Sequence, residues 1–211
     1  MQKPEPSFPA PWKLQGEGFI LAFRFKKQWI AQNPLFTDEQ KENFSGGLGY
    51  LMLVNYQNSP VGPYHELLLI PGKFLPNRLQ TISHIFVDSE SSTINGRYNW
   101  GIPKQTVPFL WLKNGNRETI GVGTEDDPIF FAELETGKVP FPVSTSLLPI
   151  RLEQQMDGKT FLTNPTGNGW GRIAKIKKMK INADLFPDIS ALKPLFCAKV
   201  KPFHLEFPQA E

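Results

Sequence analysis

Apolar and polar residues alternate in short runs along most of this chain, and glycine, proline, asparagine and aspartate break the runs apart. Runs of this length and period predict strands bounded by turns. In the first half, strands are expected at 17–25, 49–56, 64–71 and 81–89, with 58–63 joining the second to the third. In the second half they are expected at 107–113, 117–122, 128–134, 144–150, 171–181 and 196–207. "NGN", "TEDDP", "ETGK" and "NPTGNG" supply the turns, and two prolines in "PLFCAKVKPFHLEF" confine the last strand to an edge or to bends. Two short helices are predicted. Thr37 followed at the third position by Gln40 is a capping-box signature. Asp88 or Ser89 can cap "ESSTINGRYNW", which Gly101 and Pro103 then stop. With no fixed-period repeat and no dividing linker, 1–211 is expected to form one domain. Its class is mainly β (α+β), antiparallel, with enough strands to curl into a barrel or to pack as two sheets.

Composition narrows the picture. Twenty prolines and 17 glycines leave little room for long helices, while 17 phenylalanines and five tryptophans point to aromatic cores. The net charge of +3 makes no electrostatic case for nucleic acid, although aromatics interleave with lysines at Trp12–Lys13 and at 23–27. The densest basic run, "KIKKMK", alternates with Ile176, Met179 and Ile181 and reads as an exposed strand edge. No apolar run is long enough to span a bilayer and the first residues lack an apolar signal core, so a cytoplasmic protein without a membrane partner is expected. The single cysteine, Cys197, permits no intrachain disulfide and reads as a buried small hydrophobe. His65, His84 and His204 have no metal-ligand spacing, and no GxGxxG, GxxxxGK[ST] or GxSxG motif occurs. Neither metal nor nucleotide cofactor is expected.

Two residues carry candidate chemistry. Glu66 opens the apolar run "ELLLIPGKF" and stands at the mouth of a core strand or just inside it. Lys104, in "WGIPKQT", is held by Pro103 among Trp100, Ile102, Val107 and Phe109. A lysine that forms an imine must lose its proton, against a reference pKa of about 10.4. Burial or a neighbouring cation lowers that value. Arg97 sits near the end of the predicted helix, where a cation is favoured for purely structural reasons. On residue types alone, a solvated lysine on a bend and an amine in a pocket both stay open.

"GRYNWGIPKQ" resembles the acetoacetate decarboxylase family, whose members tend to read Gly-Arg-Glu, two further residues, a small residue, an aromatic, then Pro-Lys-Lys. "GPYHELLLIP" resembles the segment carrying that family's active-site glutamate, and "HIFVDSESSTINGR" its strand and helix leading to the Gly-Arg pair. The two blocks cover about 62–105, and the remainder matches only in its succession of strands. The resemblance implies a cone-shaped antiparallel β barrel with a flanking sheet and a few short helices, assembled as a homo-oligomer. It implies Lys104 as the imine-forming amine, Glu66 as the pocket glutamate and Arg97 as a support. Tyr64, Trp100, Tyr98 and Gln105 are further pocket or support candidates.

In the family the imine forms with a β-keto acid and carbon dioxide leaves with the protonated imine as electron sink. Here Gln105 stands at the second-lysine position and Tyr98 where glutamate is usual. Glu17 lies at the position of a substrate-facing arginine, with Arg24 as a conceivable substitute. These departures argue against acetoacetate. The function implied is a lysine-imine lyase on another small keto acid or carbonyl compound; the alternatives are a non-catalytic small-molecule binder or a structural protein. An enzyme predicts Lys104 and Glu66 in an apolar cavity, a binder predicts a cavity with an ion-paired Lys104, and a structural role predicts no cavity. A lysine in place of Gln105 would lower the Lys104 pKa if the two amines were close.

Overall fold

The computed structural model describes residues 7–147 and 149–211. The chain opens with β1 (Trp12–Phe23), two short helices α1 (Lys27–Gln32) and α2 (Asp38–Asn43), and the strands β2 (Phe44–Gly46), β3 (Gly49–Asn58) and β4 (Tyr64–Ile70). Next come β5 (Lys73–Phe74), β6 (Leu79–Gln80), β7 (His84–Val87), helix α3 (Glu90–Trp100) and β8 (Gln105–Thr106). The second half holds β9 (Phe109–Asn114), β10 (Arg117–Gly123), β11 (Pro128–Ser144), β12 (Leu152–Met156), β13 (Lys159–Thr163), β14 (Thr166–Ile181) and β15 (Phe196–Phe207).

Ten strands form one curled sheet in the order β8-β7-β4-β3-β1-β15-β14-β11-β10-β9, and five form a flanking sheet in the order β13-β12-β6-β5-β2. All pairs in the large sheet are antiparallel except β7 with β8. This half-barrel with a flanking sheet and few helices is the expected fold class. No helix among the described residues is long and apolar enough to cross a membrane.

Both faces of the central strands are buried, which is why "ELLLI" is continuously apolar instead of alternating. On β4, Leu67 and Leu69 enter one core with Phe19, Leu21, Leu51, Leu53, Ile120 and Phe130, which the curl of the sheet encloses. Tyr64, Leu68 and Ile70 face a second core with Trp12, Val54, Tyr56, Trp100 and Leu152. The second core holds the candidate site.

Local signals worked where side chains bond their own backbone. Thr37 and Gln40 make the reciprocal capping box, and Ser89 caps α3 by accepting from the Ser92 amide. Asp88 is used elsewhere: its carboxylate accepts from the His65 amide and pairs with the His65 ring. Cys197 is buried, and the lysines of "KIKKMK" are exposed along β14.

Four expectations are corrected. "ETGK" is no turn, because β11 runs through it on a register break between Thr136 and Pro140. "NPTGNG" is only partly a turn, because β14 begins at Thr166. No strand occupies 145–147; there the Leu147 amide bonds the Ser144 carbonyl in a turn, Thr145 bonds Gly167 through both backbone and hydroxyl, and residue 148 lies outside the described residues. Finally, of the two settings expected for the prolines of the last strand the edge falls away, because β15 lies between β1 and β14; Pro202 takes the other, a bend where the ladder on either side breaks register around it. Helix α1 and the β12–β13 hairpin were not anticipated.

His84 ties the fold to pH. Its ring packs edge-on against Phe36 and Phe186, at 5.4 and 5.8 Å, and burial pushes its pKa down from 6.5 to about 4. Below pH 6.5 the unfolded chain takes up a proton that the fold excludes, so stability falls as pH drops through this window. The loss by pH 4 is expected to reach about 3 kcal/mol. Urea midpoints measured between pH 7 and 4 should show it, and His84→Phe should flatten that part of the profile; equal slopes in both proteins would contradict it.

Candidate functional site

Glu66 sits in the middle of β4, hydrogen-bonded in register between Val54 of β3 and Val87 of β7. Period-two alternation places its side chain on the same face as Tyr64 and Leu68. The hairpin register sets Tyr56 directly opposite Tyr64, diagonal to Glu66. Above this face lies α3, where Ser92 and Gly96 are four residues apart and so share one side of the helix.

Lys104 arrives between the two layers by a short return. Gly101 takes a left-handed conformation (φ 62°), its amide bonds the Arg97 carbonyl, and the Ile102 amide bonds that of Gly96. A Cβ on Gly101 would also lie 2.5 Å from the Phe161 ring, so glycine is required there twice over. Pro103 follows, and Arg97 donates from Nε to the Lys104 carbonyl at 2.8 Å. Thr106, two residues on, bonds both Thr93 and Glu90. The segment is stapled to α3 on either side of the lysine.

The Lys104 ammonium donates to Glu66 Oε2 at 2.8 Å and to Ser92 Oγ at 3.0 Å, and lies 5.1 Å from the Tyr64 ring centre. Tyr56 donates its hydroxyl to the other Glu66 oxygen at 3.2 Å. Lys104 is 4% exposed and Glu66 3%. The aliphatic part of Lys104 fills the space over Gly96, where a Cβ would come within 2.8 Å of Cδ and 2.9 Å of Cε.

Lys104, Glu66, Tyr56 and Tyr64 line one wall of a cavity of about 170 Å³. The other walls are formed by Trp12, Leu14, Leu68, Ile70, Ile82 and Ile85, with Trp100, Ile102 and Leu152, while Ser144, Thr145, Asn168 and His204 supply polar lining. Trp100 is fixed by a bond from its indole N–H to the Pro208 carbonyl and by edge-on contacts with Trp12 and Phe207. Burial pulls the Lys104 amine down, but Glu66 and Tyr64 outweigh it and the net direction is up from 10.5. Burial, reinforced by Glu66 and opposed by Lys104, pushes Tyr64 up to about 12. Tyr56 rises well above its ordinary value, for burial first and Glu66 second.

Comparison with known proteins places the chain. The family described as acetoacetate decarboxylase (ADC) matches residues 2–161. The chain belongs to the acetoacetate decarboxylase family. A solved acetoacetate decarboxylase from Legionella pneumophila is similar in structure, with 14% identity, TM-score 0.65, and 96% of this chain and 87% of that one covered. The enduracididine biosynthesis enzyme MppR, solved in complex with pyruvate, is similar with 12% identity, TM-score 0.60, and 97% and 90% covered. An acetoacetate decarboxylase-like enzyme from Sphingomonas wittichii RW1 is similar with 11% identity, TM-score 0.59, and 100% and 95% covered. At these identities the likeness is one of fold. No curated protein sequence matches the chain.

Within this acetoacetate decarboxylase fold, the sequence-based candidates separate. Lys104, Glu66, Tyr64 and Trp100 come together at the cavity, and Arg97 holds the Lys104 backbone from outside it. Tyr98 is 58% exposed on α3, and Gln105 is exposed on β8; neither lines the cavity. Their assignment to the pocket is corrected: one residue past Lys104 the strand turns the side chain outward, and Tyr98 lies on the solvent side of the helix. Nor does Glu17 face the cavity. It pairs with Lys199 at 3.1 Å and Lys201 at 3.0 Å, while Arg24 is exposed.

Tyr56 and Ser92 were missed. The connection 58–63 implied the register that puts Tyr56 beside Glu66, and the four-residue step from Ser92 to Gly96 implied a shared helix face. Also missed was a second buried lysine, Lys199, which donates to Glu118 at 2.7 Å beneath Phe19 and Trp111. Burial lowers its pKa against the pull of Glu118 and Glu17. It does not line the cavity, and its chemistry is that of a locked structural pair.

The outward turn at Gln105 makes a prediction. Gln105→Lys should leave the pH dependence of Lys104 reductive methylation, followed by peptide mass spectrometry, unchanged, because solvent screens an exposed amine. A clear downward shift would contradict this placement.

Proposed function

We propose that the protein is a lyase in which Lys104 forms an imine with a small carbonyl substrate other than acetoacetate. The observation that carries this reading is the buried Lys104–Glu66 pair on the wall of an apolar cavity. At rest Lys104 is an ammonium that donates to Glu66, its pKa raised chiefly by that neighbour against the pull of burial. The nucleophile is the free amine, so Glu66 accepts the proton along the 2.8 Å hydrogen bond. A substrate that displaces water lowers the polarity around the pair further and shifts the balance toward its neutral form.

The amine then adds to the carbonyl carbon while the carbonyl oxygen takes a proton, for which neutral Glu66 is the nearest acid. Glu66 then takes one of the two protons on the nitrogen and passes it to that oxygen, whose loss as water leaves a protonated imine and returns Glu66 to the carboxylate. The iminium withdraws electrons from the bond at the adjacent carbon, which is the step a lyase exploits. Glu66, again a carboxylate, is placed to receive a proton, and the Tyr56 and Ser92 hydroxyls hold the two partners in register.

A second reading has a specific observation behind it. The net upward pKa direction of Lys104 suits a cavity that binds a carbonyl compound without reacting. Borohydride trapping separates the two. With pyruvate, β-keto acids and aldehydes, followed by intact mass and peptide mapping, a reduced adduct is expected on Lys104. It should vanish in Lys104→Ala and, compared at a pH where the amine is free in both proteins, fall at least about tenfold in Glu66→Gln, a loss in line with general acid–base assistance. Adducts confined to other lysines across the panel would contradict imine chemistry and favour the binding reading.

A further inference from the structure

The cavity is unevenly furnished. Among the described lining residues, Lys104 is the single lysine or arginine, and its charge is already matched by Glu66 at 2.8 Å. The wall running from Leu68 and Ile70 to Ile82, Ile85 and Leu152 offers no side-chain hydrogen-bond donor. A keto acid would bring a second carboxylate beside Glu66 with one ammonium between them. That unpaired buried anion is strongly disfavoured.

Glu17 is the acid that stands at the position where the family resemblance placed an arginine, and it is held away from the cavity by Lys199 and Lys201. Lys199 is spent on Glu118 and Glu17. Among the described lining residues, the polar side chains away from the lysine wall, Ser144, Thr145, Asn168 and His204, are uncharged groups or an exposed imidazole. Size sets the other limit. An apolar cavity of about 150 Å³ takes a benzene ring, and the volume here is about 170 Å³.

We infer that the substrate is an uncharged carbonyl compound carrying a ring-sized apolar group and no carboxylate next to its carbonyl. The carbonyl meets Lys104 and Glu66, and the ring lies against the aliphatic wall. This selectivity rests on the imine reading for its chemistry, but it is a property of the cavity walls and can be measured without that chemistry. On binding, the ring removes water from around the lysine–glutamate pair, which a small hydrophilic keto acid would not do, so the same group that confers selectivity promotes proton transfer to Glu66.

Two measurements test it. In borohydride trapping, benzaldehyde is compared with propanal, and phenylacetone with pyruvate and acetoacetate; pairing aldehyde with aldehyde and ketone with ketone controls for intrinsic reactivity. The yield on Lys104 from each aromatic probe is expected to exceed its partners' by at least about tenfold, equivalent to roughly 1.4 kcal/mol. In titration calorimetry, benzyl alcohol and lactate serve as unreactive counterparts, applied to wild type and to Met52→Trp, which fills part of the cavity from a lining position. Benzyl alcohol should bind wild type and lose affinity in the variant, and lactate should not bind. Equal or better trapping by the keto acids would overturn the substrate class while leaving the imine intact. Absence of any Lys104 adduct together with benzyl alcohol binding would overturn the imine and uphold the selectivity. Failure of benzyl alcohol to bind wild type would overturn the selectivity itself.

Discussion

Everything at the site depends on one buried ion pair. Taking a lysine and a glutamate out of water is tolerable only because each gains a further hydrogen bond beyond the pair itself, Lys104 to Ser92 and Glu66 from Tyr56. Removing one partner of such a pair costs about 3–5 kcal/mol, whereas a matched apolar replacement is often neutral. A buried pair is therefore a poor way to stabilise a fold. Placed beside a cavity, it is an effective way to hold an amine and a proton acceptor in contact.

The scaffold is arranged around that constraint. Glu66 is fixed by two neighbouring strands, so it cannot retreat to solvent, and the Lys104 backbone is stapled to α3 by Arg97 and Thr106. Gly96 makes room for the lysine and Gly101 turns the chain back toward the sheet. The second buried pair, Lys199 with Glu118, shows what the same chemistry becomes without a cavity. It ties β15 to β10 beneath aromatic rings, on the opposite core.

Much of this was legible in the sequence, and the gaps have physical causes. Strands and the capped helix were readable between 62 and 105 because turn residues and caps act locally; the residues nominated Lys104 and Glu66, and the family resemblance added their roles. Which way a side chain faces was harder. Gln105 and Tyr98 adjoin the motif in sequence but point outward, since one step along a strand or a helix changes the face. Glu118 alternates with the buried Ile120 and Val122 and so was readable as a core acid, yet its partner lies 81 residues away. The Asp157–Gly158 pair, both at positive φ, marks the β12–β13 turn by a standard signal that went unused. Pro202 left an edge and a bend both open, because only the tertiary ladders reveal that two of them break register at the same point.

The most direct test of the central pair is an NMR titration of the Lys104 ε-methylene, assigned by difference from Lys104→Ala, in wild type and in Glu66→Gln. In wild type the ammonium should persist beyond pH 10.5. Without the glutamate charge, burial acts with less opposition and the titration should fall clearly below that of wild type. A Lys104 that titrates identically in both proteins would mean that Glu66 does not govern its proton, and would contradict the pairing on which the site is built.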